Sequence, residues 1–85
     1  MKSNIITLDK GQSTTLQTEI FSELHVSLKE GQQDYSLQVT GGGASYEVTI
    51  DNITKPVDVN PKSEVTLTLT KGDPNISYDF IVWLK

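Results

Sequence analysis

The residues that could do chemistry are few and widely spaced. His25 is the single histidine and cysteine is absent, so thiolate zinc sites, cysteine nucleophiles and disulfide scaffolds are all excluded. A serine triad would have to be assembled from unrelated turns, because no Gly-x-Ser-x-Gly elbow occurs. The loop and loop-adjacent acids are Asp51, Asp58, Asp73 and Asp79, with Asn52, Asn60 and Asn75 near them. Calcium takes roughly six to eight oxygens, usually from several carboxylates of one tight loop, and no Asp-x-Asp-x-Asp-Gly run is present. Asp51 and Asp58 are the candidates for a weak metal site. The alternative is turn chemistry, in which Asp and Asn side chains bond their own backbone. Gly41-Gly42-Gly43 lacks the Lys-Ser/Thr and helix start of a phosphate-cradling loop and predicts a hairpin turn. Nothing in the sequence calls for a cofactor, and the chain is expected not to be an enzyme.

The chemistry that does stand out is contact. In Tyr78-Asp-Phe-Ile-Val-Trp-Leu84, Tyr78, Phe80, Val82 and Leu84 take one face of an extended strand and Asp79, Ile81 and Trp83 the other. Most of the other strands alternate apolar residues with Thr, Ser or charge; this one does not. Either this strand is central and a loop such as Pro56–Pro61 covers its second face, or Ile81 and Trp83 form an exposed strip. An exposed strip would bind a protein partner or stack on a sugar ring. The expected function is a non-catalytic protein–protein interaction or assembly module that self-associates through edge strands and this apolar strand. The alternative is a carbohydrate-binding module with Trp83 as platform. Trp83, Ile81 and Asp79 are the candidate binding residues in both.

The elements that must position these residues are strands. Ser63-Glu-Val-Thr-Leu-Thr-Leu-Thr70 alternates strictly, and with Ser77–Leu84 across Lys71-Gly-Asp-Pro-Asn75 it predicts a hairpin. Further strands are expected at Asn4–Leu8, Ser13–Glu19, Tyr35–Val39 and Ser45–Ile50. Val57–Val59 lies between Pro56 and Pro61 and predicts a short edge strand or crossover. Thr18–Gly31 fits either a helix capped by Thr18 or a turn at Phe21-Ser22 followed by a strand. Val26 fits only the strand, which also turns His25 outward beside Ser27. Tyr35 and Tyr46 fall in phase with the apolar residues of their strands. Short strands separated by turn signals about every eight to twelve residues predict an all-β fold, a small antiparallel β-sandwich of about seven strands. Ile6-Thr-Leu-Asp-Lys-Gly-Gln-Ser-Thr-Thr-Leu16 resembles the opening of bacterial tellurite-resistance β-sandwich domains. That likeness implies the same architecture, without the dense acidic motifs of their calcium sites.

With 85 residues the chain makes one domain, residues 1–85, with a modest core. Net charge is −4, from eleven acidic residues against seven lysines and no arginine. Lysines scattered along the chain do not form a phosphate-gripping patch, so no nucleic-acid partner is expected. No apolar run reaches the length of a signal-peptide core or a spanning helix, so the sequence predicts a soluble chain without membrane insertion.

Overall fold

The computed structural model describes residues 2–28, 35–49 and 56–85. Eight strands are present among the described residues: β1 Lys2–Leu8, β2 Ser13–Gln17, β3 Glu23–Leu28, β4 Ser36–Gly41, β5 Ala44–Thr49, β6 Val57–Asp58, β7 Glu64–Lys71 and β8 Tyr78–Leu84. They form two four-stranded sheets, ordered β1-β8-β3-β6 and β2-β7-β4-β5, in which every described pairing is antiparallel. The fold is therefore the expected all-β sandwich.

The pairings nest. β4 pairs with β5, β3 with β6, β2 with β7 and β1 with β8. The chain is thus one long antiparallel ribbon folded at its middle and rolled up, so that β8 also meets β3 and β7 also meets β4. Eight strands in two such sheets make a jelly roll. The fold point is the glycine turn: Gly41 pairs with Ala44, and Gly42 and Gly43 between them have φ of +57° and +79°. A two-residue loop with positive φ at both positions matches the right-handed twist of the flanking strands, and glycine adopts it without steric cost.

The core follows from alternation. Val65, Leu67 and Leu69 of β7 and Tyr78, Phe80, Val82 and Leu84 of β8 are buried, together with Leu24, Val26, Leu37 and Val39 of the strands beside them. Each such side chain contributes about 1.5–3 kcal/mol by leaving water. The corner after β2 is held by a polar side chain. Thr18 is fully buried; its hydroxyl accepts from the Ser63 amide (2.8 Å) and lies 2.7 Å from the Asn60 carbonyl oxygen. The next residue, Glu19, has φ of +53°, and its carbonyl accepts from the amide of Lys62.

Two expectations need correction. Ser63–Thr70 and Ser77–Leu84 do not form a hairpin: β7 and β8 lie in different sheets, and residues 72–77 cross between them. Both strands have continuous apolar inward faces, and each finds two ladder partners in its own sheet, which a two-stranded ribbon would not supply. The second strand ends at Gln17 rather than Glu19, because Thr18 and Glu19 leave the ladder to make the corner. Thr18–Gly31 resolves, within its described part, as a turn through Phe21 and then β3, with His25 in the strand. β6 is the short edge strand expected between the prolines. Ile50, Asp51 and Asn52 lie outside the described residues, as does the side chain of Tyr46.

A Cβ on Gly41, where φ is +86°, would stand 2.7 Å from the backbone oxygen of Glu64. Gly41→Ala is therefore expected to cost more than about 1 kcal/mol, through backbone strain and a clash that no side-chain rotation relieves. Gly11→Ala carries the left-handed strain alone, because nothing lies within 4 Å of its added Cβ. Urea denaturation of the two variants checks the order; an equally mild effect at both positions would contradict it.

Candidate functional site

Because Tyr78, Phe80, Val82 and Leu84 point inward, the pleat turns Asp79, Ile81 and Trp83 outward. β8 has a neighbour on each side, and the registers fix what stands beside each residue. Trp83 lies between Ser3 of β1 and His25 of β3, and Ile81 between Ile5 and Ser27. Asp79 lies beside Thr7. The three sequence-predicted residues therefore share one face, in a row along a central strand.

Their environments differ. Ile81 is 41% exposed and Ile5, beside it, is 75% exposed, and a shallow trough lined by Ser3, Asn4, Ile5 and Ile81 runs between them. Trp83 is half-buried; its indole stacks on the His25 imidazole with ring centroids 5.1 Å apart and planes 10° from parallel. Nε2 of His25 is 3.1 Å from a carboxylate oxygen of Glu23, which orients the imidazole over the indole. Asp79 accepts a hydrogen bond from the Thr7 hydroxyl (2.7 Å), which ties its carboxylate to the neighbouring strand. The segment containing Pro56 and Val57 adds β6 to the far edge of the sheet, beside β3. On the second face of β8, Ile81 is exposed, whereas Trp83 is half-buried against His25.

Sequence reasoning missed two members of the face. The pattern puts Ile5 in a strand, but its alignment with Ile81 depends on a pairing between the first and last strands. The stacking of His25 on Trp83 likewise follows from the β3–β8 register, which no local pattern encodes.

The acids sort into turn and strand roles. Asp73 accepts from the Asn75 amide (2.8 Å), and its own amide donates to the Tyr78 hydroxyl (2.7 Å), fixing the segment that crosses between sheets. Asp9 accepts from Ser77 at the same end. Asp58 is exposed on β6, and Asp51 lies outside the described residues. Among the described residues, no three histidine or carboxylate side chains are gathered where they could hold a metal ion. Nor is any helix there long and apolar enough to cross a membrane.

No protein-family model matches the chain, and no curated protein matches it, so the eleven-residue likeness to tellurite-resistance domains does not extend to a family assignment. Solved structures do match in fold. One is the crystal structure of Drosophila melanogaster CENP-C bound to CAL1: the TM-score is 0.52 at 7% identity, over 98% of this chain and 60% of that one. A second is the Drosophila melanogaster CENP-C cupin domain, at the same TM-score and identity, over 98% of this chain and 59% of that one. The chain thus spans about three-fifths of the length of these relatives. At this identity the likeness is one of fold.

A perturbed titratable group lies in the core rather than on the face. Tyr35 is buried against Phe80 and Tyr78, with ring centroids 5.1 and 6.0 Å away, and its hydroxyl has no hydrogen-bond partner among the described residues. Burial pushes the phenol far above its ordinary value. The folded chain keeps Tyr35 neutral at a pH where the unfolded chain ionises it, so this group's contribution to stability falls as pH climbs above about 10. Tyr35→Phe is expected to raise stability near neutral pH by about 1 kcal/mol, by removing an unsatisfied buried hydroxyl. It should also flatten the loss at alkaline pH. Urea melts near neutrality and above the ordinary tyrosine range decide it: parallel losses in the two proteins would contradict the assignment.

Proposed function

We propose that this chain is a non-catalytic assembly module that works by self-association, using an edge strand together with the apolar outward face of β8. The observation that carries the proposal is the exposed pair Ile5 and Ile81, set side by side on a sheet face that is otherwise polar or occupied by the His25–Trp83 stack. Single exposed apolar residues need no explanation, but adjacent ones on rigid backbone are what a partner surface buries. Asp79 and Thr7, bonded to each other, supply a polar border at one end of the strip. The fold comparison adds support of a general kind: CENP-C, a protein of similar fold, is seen bound to a protein partner, CAL1.

Carbohydrate binding through Trp83 is the weaker alternative. A sugar platform presents an open aromatic face, and His25 lies flat against one face of this indole. Addition of glycans is therefore expected to leave the emission of the single tryptophan unchanged.

The experiment is mass against concentration by light scattering or sedimentation. The mass is expected to rise above that of the 9.4 kDa chain as concentration increases. Ile81→Asp, at a partly exposed position, should leave folding nearly intact while weakening association at least tenfold, because it places a charge in the contact. A chain that remains monomeric at every concentration would overturn self-association, and glycan quenching of Trp83 would favour the alternative.

A further inference from the structure

We infer that β1 is the strand through which two copies join, pairing antiparallel to the second copy's β1 about Ile5. The two four-stranded sheets then become one continuous eight-stranded sheet. This presupposes the assembly role proposed above and names its edge, its register and its partner, a second copy of this chain.

The sandwich has four edge strands, β1, β6, β2 and β5. An edge carries a row of backbone donors and acceptors ready to pair with another chain, and proteins blunt edges with proline, charge, bulges or short length. β6 is two residues long and lies between Pro56 and Pro61. β5 carries an acidic residue, Glu47, in mid-strand, in a chain of net charge −4. β2 shows Ser13, Thr15 and Gln17 to water, and two of these are already bonded to Thr68 and Glu64 of β7 (2.7 and 2.8 Å). β1 is the least protected: Lys2 stands only at its start, and Thr7 near its end is the residue bonded to β8, through Asp79. Its seven residues pair with β8 without a register shift, contain no proline, and hold the exposed Ile5 near their midpoint.

Charge favours the same edge and orientation. In a chain of net charge −4, Lys2–Leu8 contains no acidic residue, so like-charge repulsion between copies is small along this strand. Lys2 opens β1 and Asp9 follows it. Antiparallel pairing brings the lysine end of one copy to the aspartate end of the other, twice over. Parallel pairing would set lysine on lysine and aspartate on aspartate.

Centred on Ile5, the register places Ile5 opposite its own copy and Ser3 opposite the second copy's Thr7. Ile81 and Ile5 of one chain then continue into Ile5 and Ile81 of the other, so two small exposed patches become one apolar strip across the joined sheet. Half of that strip is missing from each chain alone.

The absence of native cysteine makes the register testable by cross-linking of the full chain. Directly opposed residues of an antiparallel pair have Cα atoms about 4.5–5.5 Å apart, within the roughly 4.4–6.8 Å that a disulfide spans. Under mild oxidation Ile5→Cys is expected to form a covalent dimer with itself. Ser3→Cys should cross-link to Thr7→Cys when the two variants are mixed, and neither should cross-link appreciably to itself. Thr15→Cys, on the β2 edge, should stay monomeric. Ile5→Asp, at a position 75% exposed, should keep the fold by circular dichroism and weaken dimerisation at least tenfold.

A protein whose mass rises with concentration, yet gives no such cross-links and is indifferent to Ile5→Asp, would overturn the β1 edge and leave assembly through another surface standing. Self-linking by Thr15→Cys would move the junction to β2. A protein that is monomeric throughout would overturn both.

Discussion

Burial of the inward faces of β7 and β8 in one core is the constraint from which the rest of the molecule follows. Each strand alternates without interruption, each is central in its own sheet, and between them they supply seven of the buried apolar side chains. A chain of this length has no second core to fall back on, and no disulfide. The nested pairing that lets both strands be central is one in which the chain folds back at its middle. The Gly42–Gly43 turn is therefore required by the same burial that fills the core. The corners are then left to polar groups, and Thr18 shows how: a fully buried hydroxyl bonded to backbone groups around Ser63 keeps the β2–β3 corner against the β6–β7 turn. Deleting such a group leaves backbone amides and carbonyls without partners in a dry site, which costs more than the bond itself contributes.

The strands were legible in the sequence because alternation is a local signal. Val65, Leu67 and Leu69 declare their face within five residues, and Val26 is enough to favour a strand over a helix at His25. Partners were not legible, because pairing depends on residues far apart. The segment that crosses between the sheets carries Gly72, Asp73, Pro74 and Asn75, the residues of a tight turn, but turn chemistry does not encode which sheet the next strand joins. The same limit applies to the site. Asp79, Ile81 and Trp83 could be placed on one face from their spacing alone, whereas Ile5 and His25 join them through registers spanning most of the chain.

The outward face of β8, with Ile5 of β1 beside it, departs from the polar pattern seen on β7. On β7 the outward positions are Glu64, Thr66, Thr68 and Thr70, residues that favour a strand and tolerate water. At Ile81 and Ile5 the side chains face water with little return to the fold, since the backbone ladder on each side of β8 forms whatever these side chains are. Trp83 is different: stacked on His25, it binds β8 to β3 and gives this part of the sheet a rigid surface. The face therefore combines a stiff aromatic pair that serves the fold with an aliphatic pair that does not, and the second kind is what contact with another chain would make useful.

The fold itself cannot carry that conclusion. Jelly rolls serve many unrelated purposes, and a likeness at 7% identity leaves essentially every outward residue free to differ. What distinguishes this chain is where apolar surface and unpaired backbone coincide. The trough between Ile5 and Ile81 borders β1, so the same strand offers aliphatic side chains on its face and free donors and acceptors along its edge. Either feature alone is common in small β proteins. Strand addition to β1 would satisfy the backbone groups and enlarge the apolar strip in one step, and face packing without strand addition would leave the edge open. The proposed assembly through the edge would account for both features.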